Sequence, residues 1–226
     1  MKIPIPLQNA SNRAYKGIKG MIFKYELIPG QKIIYDELAA KLKLSKTPVI
    51  NALTRLEQEE FVISFPNRGF FVKEIYLDEF ENLYRIREAL EMLAIEDCIK
   101  HGTPNGLKEI ELAMITHRNY RFDEFFVSRK RNALDAEVHV KIAEIGGNKN
   151  LSRLLKQILE QISFRHRIEG LPPKRFKETP REHQAIFDAI KQANLTKAKK
   201  LMKIHVKKGK EAALRVIQKN KESYDF

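Results

Sequence analysis

Apolar residues recur at helical spacing between Ala14 and Leu27, at Tyr15, Ile18, Ile22 and Tyr25, until Pro29-Gly30 breaks the run. A second short stripe, Leu38, Ala39 and Leu42, lies in "ELAAKLKL", with Asp36 placed to cap it. A third lies in "LSKTPVINALTRLEQEEF", with Thr47 as the expected N-cap and Pro48 as the first helical residue, where a missing N–H costs nothing. The period then changes. "FVISF" and "FFVKEI" read as short strands joined by the tight turn "PNRG", which contains Gly69. Three short helices and a hairpin in the first 75 residues suggest a winged helix-turn-helix.

Beyond Tyr76 no strand signal remains. Asp78 can cap the long amphipathic pattern "EFENLYRIREALEMLAIEDCIK", with Phe80, Leu83, Ile86, Leu90, Leu93 and Ile95 as its apolar positions. "GTPNG" ends it, and further helical patterns follow at about 107–120, 124–145, 149–169, 178–193 and 195–219. The breaks are "FDEF", "GGNKN", "EGLPPK" and "AN". The expected fold is mainly α: a winged helix-turn-helix followed by an all-α six-helix bundle. Its expected parts are an arm at 1–12, the winged domain at 13–75, the helical domain at 76–220 and a tail at 221–226.

Charge adds a partner. With 42 Lys and Arg against 29 Asp and Glu, the chain carries a net +13, which favours an anionic partner such as nucleic acid. Cys98 is the only cysteine, so an internal disulfide and a CxxC metal site are both excluded, and a reducing, cytoplasmic setting is expected. No stretch approaches the ~20 apolar residues of a membrane span, and "MKIPIPLQNASNR" lacks the apolar core of a signal peptide.

On a helical wheel of the third helix, Val49, Ala52, Leu53 and Leu56 share an inward face. Thr47, Asn51, Thr54 and Gln58 fall opposite, flanked by Lys46, Ile50 and Arg55. Such a helix can enter the DNA major groove, where Asn pairs with adenine and Lys or Arg with guanine or phosphate. Arg68, at the hairpin tip, is placed for a minor-groove or phosphate contact. The stretch "ELIPGQKI…ELAAKLKLSKTPVINALTRLEQEEFVISFPNRGFFV" resembles the DNA-binding domain of the GntR family of bacterial transcriptional regulators. It departs from the family pattern in Lys46, where arginine is usual, and in Ile50-Asn51, where Arg-Glu is usual. The family's arginines there commonly contact bases or phosphates. Lys46 keeps a charge without the bidentate fork, Ile50 can at most touch a thymine methyl, and Asn51 is left to carry polar readout.

The helical half places polar side chains on apolar faces. Asp135 and His139 stand one turn apart in "LDAEVHVKIAEI", on the face that carries Val138 and Ile142. His183 precedes Ile186, Phe187 and Ile190 on their stripe, and His205 is in register with Leu201, Met202, Ala212 and Val216. Each alone is readily a hydrogen-bonded core residue. Converging, one carboxylate and three imidazoles suit zinc first, and also nickel, manganese or iron. "DAEVHVKIAEIGGNKNL" with "REHQAIFDAIKQANLTKAKKLMKIHV" resembles the FCD (FadR C-terminal) effector domain found in one branch of the GntR regulators. Asp135, His139, His183 and His205 match that pattern's metal ligands, and Val138 replaces its usual Phe. The resemblance implies a small carboxylate effector, and through "RIREALE" it implies that Arg87 faces the ligand cavity. An ion pair of Arg87 with Glu91 is the equal alternative.

The expectation is a ligand-responsive regulator, not an enzyme, that binds double-stranded operator DNA as a homodimer. Two other classes stay open on the residues alone. One is a metal-dependent hydrolase, for which His166 and Glu169 are conceivable but unsupported bases. The other is a basic structural or RNA-binding protein, although the lysines of residues 197–210 read more simply as a solvated face.

Overall fold

A computed structural model of the chain describes residues 7–74, 76–120, 129–165 and 173–222, which divide into two compact units, Met1–Tyr76 and Leu77–Phe226. The first unit is a winged helix-turn-helix: α1 (Leu7–Phe23), β1 (Lys32–Ile33), α2 (Tyr35–Leu42), α3 (Lys46–Gln58), β2 (Val62–Phe65) and β3 (Gly69–Val72). The second consists, among the described residues, of six helices: α4 (Leu77–His101), α5 (Pro104–Asn119), α6 (Arg129–Ile145), α7 (Lys149–Arg165), α8 (Pro173–Lys191) and α9 (Leu195–Glu222).

Several boundaries differ from the sequence expectation, each for a local reason. Helix α1 starts at Leu7, so residues 7–12 are helical rather than a loose arm; no Gly or Pro lies between Pro6 and Gly17 to prevent it. Residues 1–6 of the expected arm lie outside the described residues, as do 223–226 of the expected tail. Asp36 and Asp78 do not cap but stand in the first turns of α2 and α4, where a carboxylate still meets the positive end of the helix dipole. The N-cap of α3 is Ser45, not Thr47, which puts Pro48 at the third helical position; its missing N–H is still one of the four that lack an intrahelical acceptor. Thr103 caps α5 by accepting from Gly106 N at 3.1 Å, so that helix begins at Pro104, inside the expected break. Helix α8 begins at Pro173 and runs through Pro180, several residues ahead of its expected start.

The wing has a third strand. β1 adds antiparallel to β3, pairing Ile33 with Phe70, and β2 pairs with the other edge of β3 through Val62–Val72 and Phe65–Gly69. Two residues are too few to show a period, which is why β1 has no signature in the pattern. Asn67 and Gly69 take positive φ, and the turn closes with Arg68 N donating to Phe65 O at 3.0 Å. Val49, Ala52, Leu53 and Leu56 of α3 are buried with Ile18 and Ile22 of α1, as the wheel required.

A polar network joins α1 to the end of α3. Tyr15 donates to Glu59 at 2.6 Å, Lys19 reaches the same oxygen at 2.9 Å, and Arg55 bonds the other at 3.2 Å. The Arg55 guanidinium also lies 3.7 Å above the Tyr15 ring. Burial works against ionisation of Glu59, but the Tyr15 and Lys19 bonds outweigh it and hold its carboxyl below the ordinary value.

In the second unit α4 packs against α6, α7, α8 and α9, and α5 against α6 and α8. Phe80, Ile95, Ile110, Val138, Leu155, Phe187 and Met202 fill the interior. Glycines seat the end of α6. A Cβ on Gly146 would stand 2.7 Å from Asp97 Cβ, and one on Gly106 would stand 2.8 Å from Ile145 Cγ2.

Two outcomes are expected. Gly146→Ala forces α6 off α4 and lowers stability in denaturant melts by about 1–3 kcal/mol. Glu59 contributes fully above its unfolded pKa of about 4.3 and loses that contribution as pH falls through its lower folded value, so Glu59→Gln flattens acid unfolding of the winged unit.

Candidate functional site

Helix α6 presents Arg131, Asp135 and His139 at intervals of four, hence on one face. His139 is fully buried, and His183 of α8 and His205 of α9 are nearly so. The three rings gather at Asp135. His183 Nε2 lies 3.5 Å from Asp135 Oδ1, His139 Nε2 lies 3.9 Å from Oδ2, and His205 Nε2 lies 3.2 Å from His139 Nε2. One donor atom from each of these four residues falls within 4.8 Å of all the others. Ligands about 2.1 Å from a zinc ion stand roughly 3.4 Å apart at tetrahedral corners, which is the scale seen here.

The hydrogen bonding fits a cation. Asp135 Oδ1 and both ring nitrogens of His183 are buried without a hydrogen-bond partner. Such atoms are rare in folded proteins because each forfeits its hydration, and one shared cation can satisfy Asp135 Oδ1 and the His183 Nε2 that faces it together. His205 Nδ1 donates to Glu182 Oε2 at 2.8 Å, which leaves Nε2 facing the cluster. His139 Nδ1 stands 2.8 Å from Glu91 Oε1, though off the angle of a hydrogen bond. Carboxylates behind imidazoles fix ring orientation in metal sites. Asp135, His139, His183 and His205 can therefore hold a divalent metal ion.

Protonation is set to match. Burial pushes His183 and His205 below the ordinary imidazole value, toward the neutral form that a metal ligand needs. Burial opposes ionisation of Asp135, but the surrounding imidazoles, His183 foremost, outweigh it and hold the carboxyl well below its usual range. Glu182 is likewise held low against burial by its bonds from His205, Arg175 and Lys208. Burial also works against Glu91, yet His139 and Arg87 bring it down to about 2.

Arg87 does both of the things expected as alternatives. Its Nε donates to Glu91 Oε1 at 3.0 Å in a buried ion pair, and the residue also lines the cavity next to the cluster. Its Nη2 lies 2.9 Å from His139 Nε2, so Arg87 uses the lone pair that a metal ligand must offer. The cavity, of about 90 Å³, is also lined by Tyr84, His117, Arg131, Asp135, Arg175 and His205.

In the winged unit, Lys46, Thr47, Ile50, Asn51 and Thr54 form an exposed row along α3, with Ile50 at 38 % exposure. Lys46 is paired with Asp36 at 2.8 Å, and Thr54 Oγ1 donates to Ile50 O at 3.1 Å. Arg55 is exposed but committed to Glu59 and Tyr15. Arg68 is exposed at the wing tip, 5.8 and 5.9 Å from the ring centroids of Phe65 and Phe71.

Sequence reasoning did not single out His117, Arg131, Arg175 or Glu182. His117 follows Ile110 and Met114 on the buried stripe of α5, a signal that could have found it. Arg131 is four residues before Asp135, and Glu182 is next to His183. His166 and Glu169 lie outside the described residues. The lysines of α9 are largely a solvated face, with Lys199, Lys203 and Lys208 paired to Glu96, Glu88 and Glu182.

This architecture, a winged helix-turn-helix with an all-helical unit, is that of a class of transcriptional regulators. The profile of the FCD domain matches residues 82–208, and that of "Bacterial regulatory proteins, gntR family" matches residues 10–72. The chain belongs to the GntR family, in its FCD-containing branch. It is 31% identical over 146 residues to the Nta operon transcriptional regulator of Aminobacter aminovorans, covering 64% of this chain and 67% of that one. It is 25% identical to the uncharacterized HTH-type transcriptional regulator YdhC of Bacillus subtilis, covering 92% and 93%. Among solved structures, E. coli McbR/YncC shares the fold with a TM-score of 0.75 at 18% identity, covering 92% of this chain and 98% of that one. The chain is thus a transcriptional regulator and not an enzyme, which removes the hydrolase alternative. No helix among the described residues is long and apolar enough to cross a membrane.

His139→Ala and His205→Ala are each expected to abolish metal retention, read by elemental analysis of protein purified without chelator. Glu182→Gln, which leaves every ligand in place, is expected to weaken metal affinity by about 10- to 100-fold.

Proposed function

We propose that the chain binds operator DNA as a homodimer through α3 and the wing, and that a small carboxylate bound beside the Asp135 cluster tunes that binding. The observation that carries this reading is one cavity wall that joins Asp135 and His205 to the Arg87 guanidinium. Zinc suits the donor set best, with nickel, manganese or iron as substitutes. Bound there, a divalent cation supplies Lewis-acid positions for an effector oxygen.

The protein's own groups do the rest. Arg87 keeps Glu91 on Nε, while Nη2 shares the His139 Nε2 lone pair with any ligand duty of that imidazole. When that lone pair is taken, Nη2 is left free to bond a carboxylate. Glu182 and Glu91 hold the rings of His205 and His139 in place. The effector then alters DNA affinity only in proportion to its differential affinity for the two states of the regulator.

On the DNA side, Asn51 is the base-reading residue, with Thr47, Thr54 and Lys46 along the same groove and Ile50 against a thymine methyl. Lys46 must exchange Asp36 for a phosphate. Arg55 serves first to join α3 to α1, and reaches the backbone from its exposed side. Arg68 meets the backbone or the minor groove.

The proposal is tested by gel shift on the DNA upstream of the protein's own gene. Asn51→Ala is expected to lose roughly 1–3 kcal/mol of specific binding, and Arg68→Ala to weaken binding to all sequences and lower the salt slope by about one. Unchanged specific binding in Asn51→Ala would show that another residue reads the bases. Absence of any salt-tolerant specific complex would overturn the regulator reading of this DNA face.

A further inference from the structure

The cavity wall gives the effector's charge. Three of its residues are guanidiniums: Arg87, Arg131 and Arg175. Each has a carboxylate to set against it. Glu91 is 3.0 Å from Arg87, Glu182 is 2.8 Å from Arg175, and Asp135 stands one turn from Arg131 on α6. Just outside, Lys208, 2.9 Å from Glu182, cancels Glu178, 3.5 Å from Arg175; Lys174, which also reaches Glu178, is largely solvated. Among the described residues these charges cancel. A divalent cation on the Asp135 cluster adds two positive charges to that balance in a mostly buried setting, where unpaired charge is costly. A monocarboxylate neutralises one of them and a dicarboxylate both.

The placement of the groups agrees. Arg131 is 6 % exposed and lines the cavity, about 6 Å along α6 from Asp135. His117 of α5 is 1 % exposed and lines the same wall, near enough to feel the charges of both Asp135 and Arg131, and its Nδ1 has no hydrogen-bond partner. A buried unpartnered nitrogen and a buried guanidinium on one wall offer a second polar anchor, apart from the four ligand residues. The volume of about 90 Å³ holds on the order of six waters, the room taken by a molecule of roughly six to ten non-hydrogen atoms.

Resting on the carboxylate reading above, we infer that the effector is a small dicarboxylate. One carboxylate sits at the metal cluster and Arg87, and the other is held by Arg131 with His117. Arg131 is then the residue that separates two-headed from one-headed acids.

The test is calorimetry on the metal-loaded, full-length protein with matched acids: malonate against propionate, succinate against butyrate, glutarate against valerate. At least one diacid is expected to bind about tenfold or more tightly than its monoacid, as a charge-assisted bidentate contact provides. Arg131→Gln is expected to erase that preference while keeping metal content and monoacid affinity within about threefold. Equal affinity within every pair overturns the inference and leaves the carboxylate reading standing. A preference that persists undiminished in Arg131→Gln overturns the assignment of the second anchor. If no acid of either series binds, the carboxylate reading itself fails. The wild-type comparison decides the charge class even if the variant does not fold.

Discussion

A helical bundle that buries ionisable side chains must compensate each of them, and the second unit of this regulator is organised around that requirement. Glu91, His139, His183 and His205 are buried on four different helices, with Asp135 partly covered among them. Arg87 and Glu91 compensate one another. The imidazoles and Asp135 do so only in part, because Asp135 Oδ1 and both nitrogens of His183 find no hydrogen-bond partner. The same incompleteness that would destabilise a purely structural core suits the cluster to hold a cation. Removal of one member of a buried pair such as Arg87–Glu91 typically costs about 3–5 kcal/mol, so stability alone holds these groups beside the cavity.

The winged unit solves a different problem. Its recognition helix must present polar residues outward while being held rigidly from behind. The apolar face of α3 does most of this against α1, and the Tyr15–Lys19–Glu59–Arg55 network fixes the end of the helix. The cost is that Arg55 is partly occupied inside the domain and that Lys46 is paired with Asp36. Of the exposed row, Asn51 carries the side-chain amide, whose separate donor and acceptor match the adenine edge. Ile50, exposed where the resemblance implies arginine, adds apolar surface and no charge to that row.

Much of this was legible in the chain. Helix periodicity and the change of period at Phe61 gave the order of elements, and Asp135, His139, His183 and His205 declared themselves as polar residues on apolar stripes. Legibility failed where the signal was short or had two meanings. The two-residue strand β1 has no period, and Pro48, Thr103 and Pro180 each fit more than one helix boundary. Arg131, Glu182 and His117 looked like ordinary helix residues, because nothing in one helix's pattern reveals what another helix brings to the same cavity.

The sequence by itself determined the two-part architecture, the outward face of α3 and the identity of four ligand-capable residues, because these follow from spacing along single helices. Only the tertiary structure decided that Arg87 serves Glu91, His139 and the cavity together, that Glu182 backs His205, and that Arg131 and His117 complete the wall. These pairings join residues as far apart as Arg87 and His139 or Glu182 and His205. They depend on how α4, α5, α6, α8 and α9 close around one another, a distance in space that no local pattern encodes.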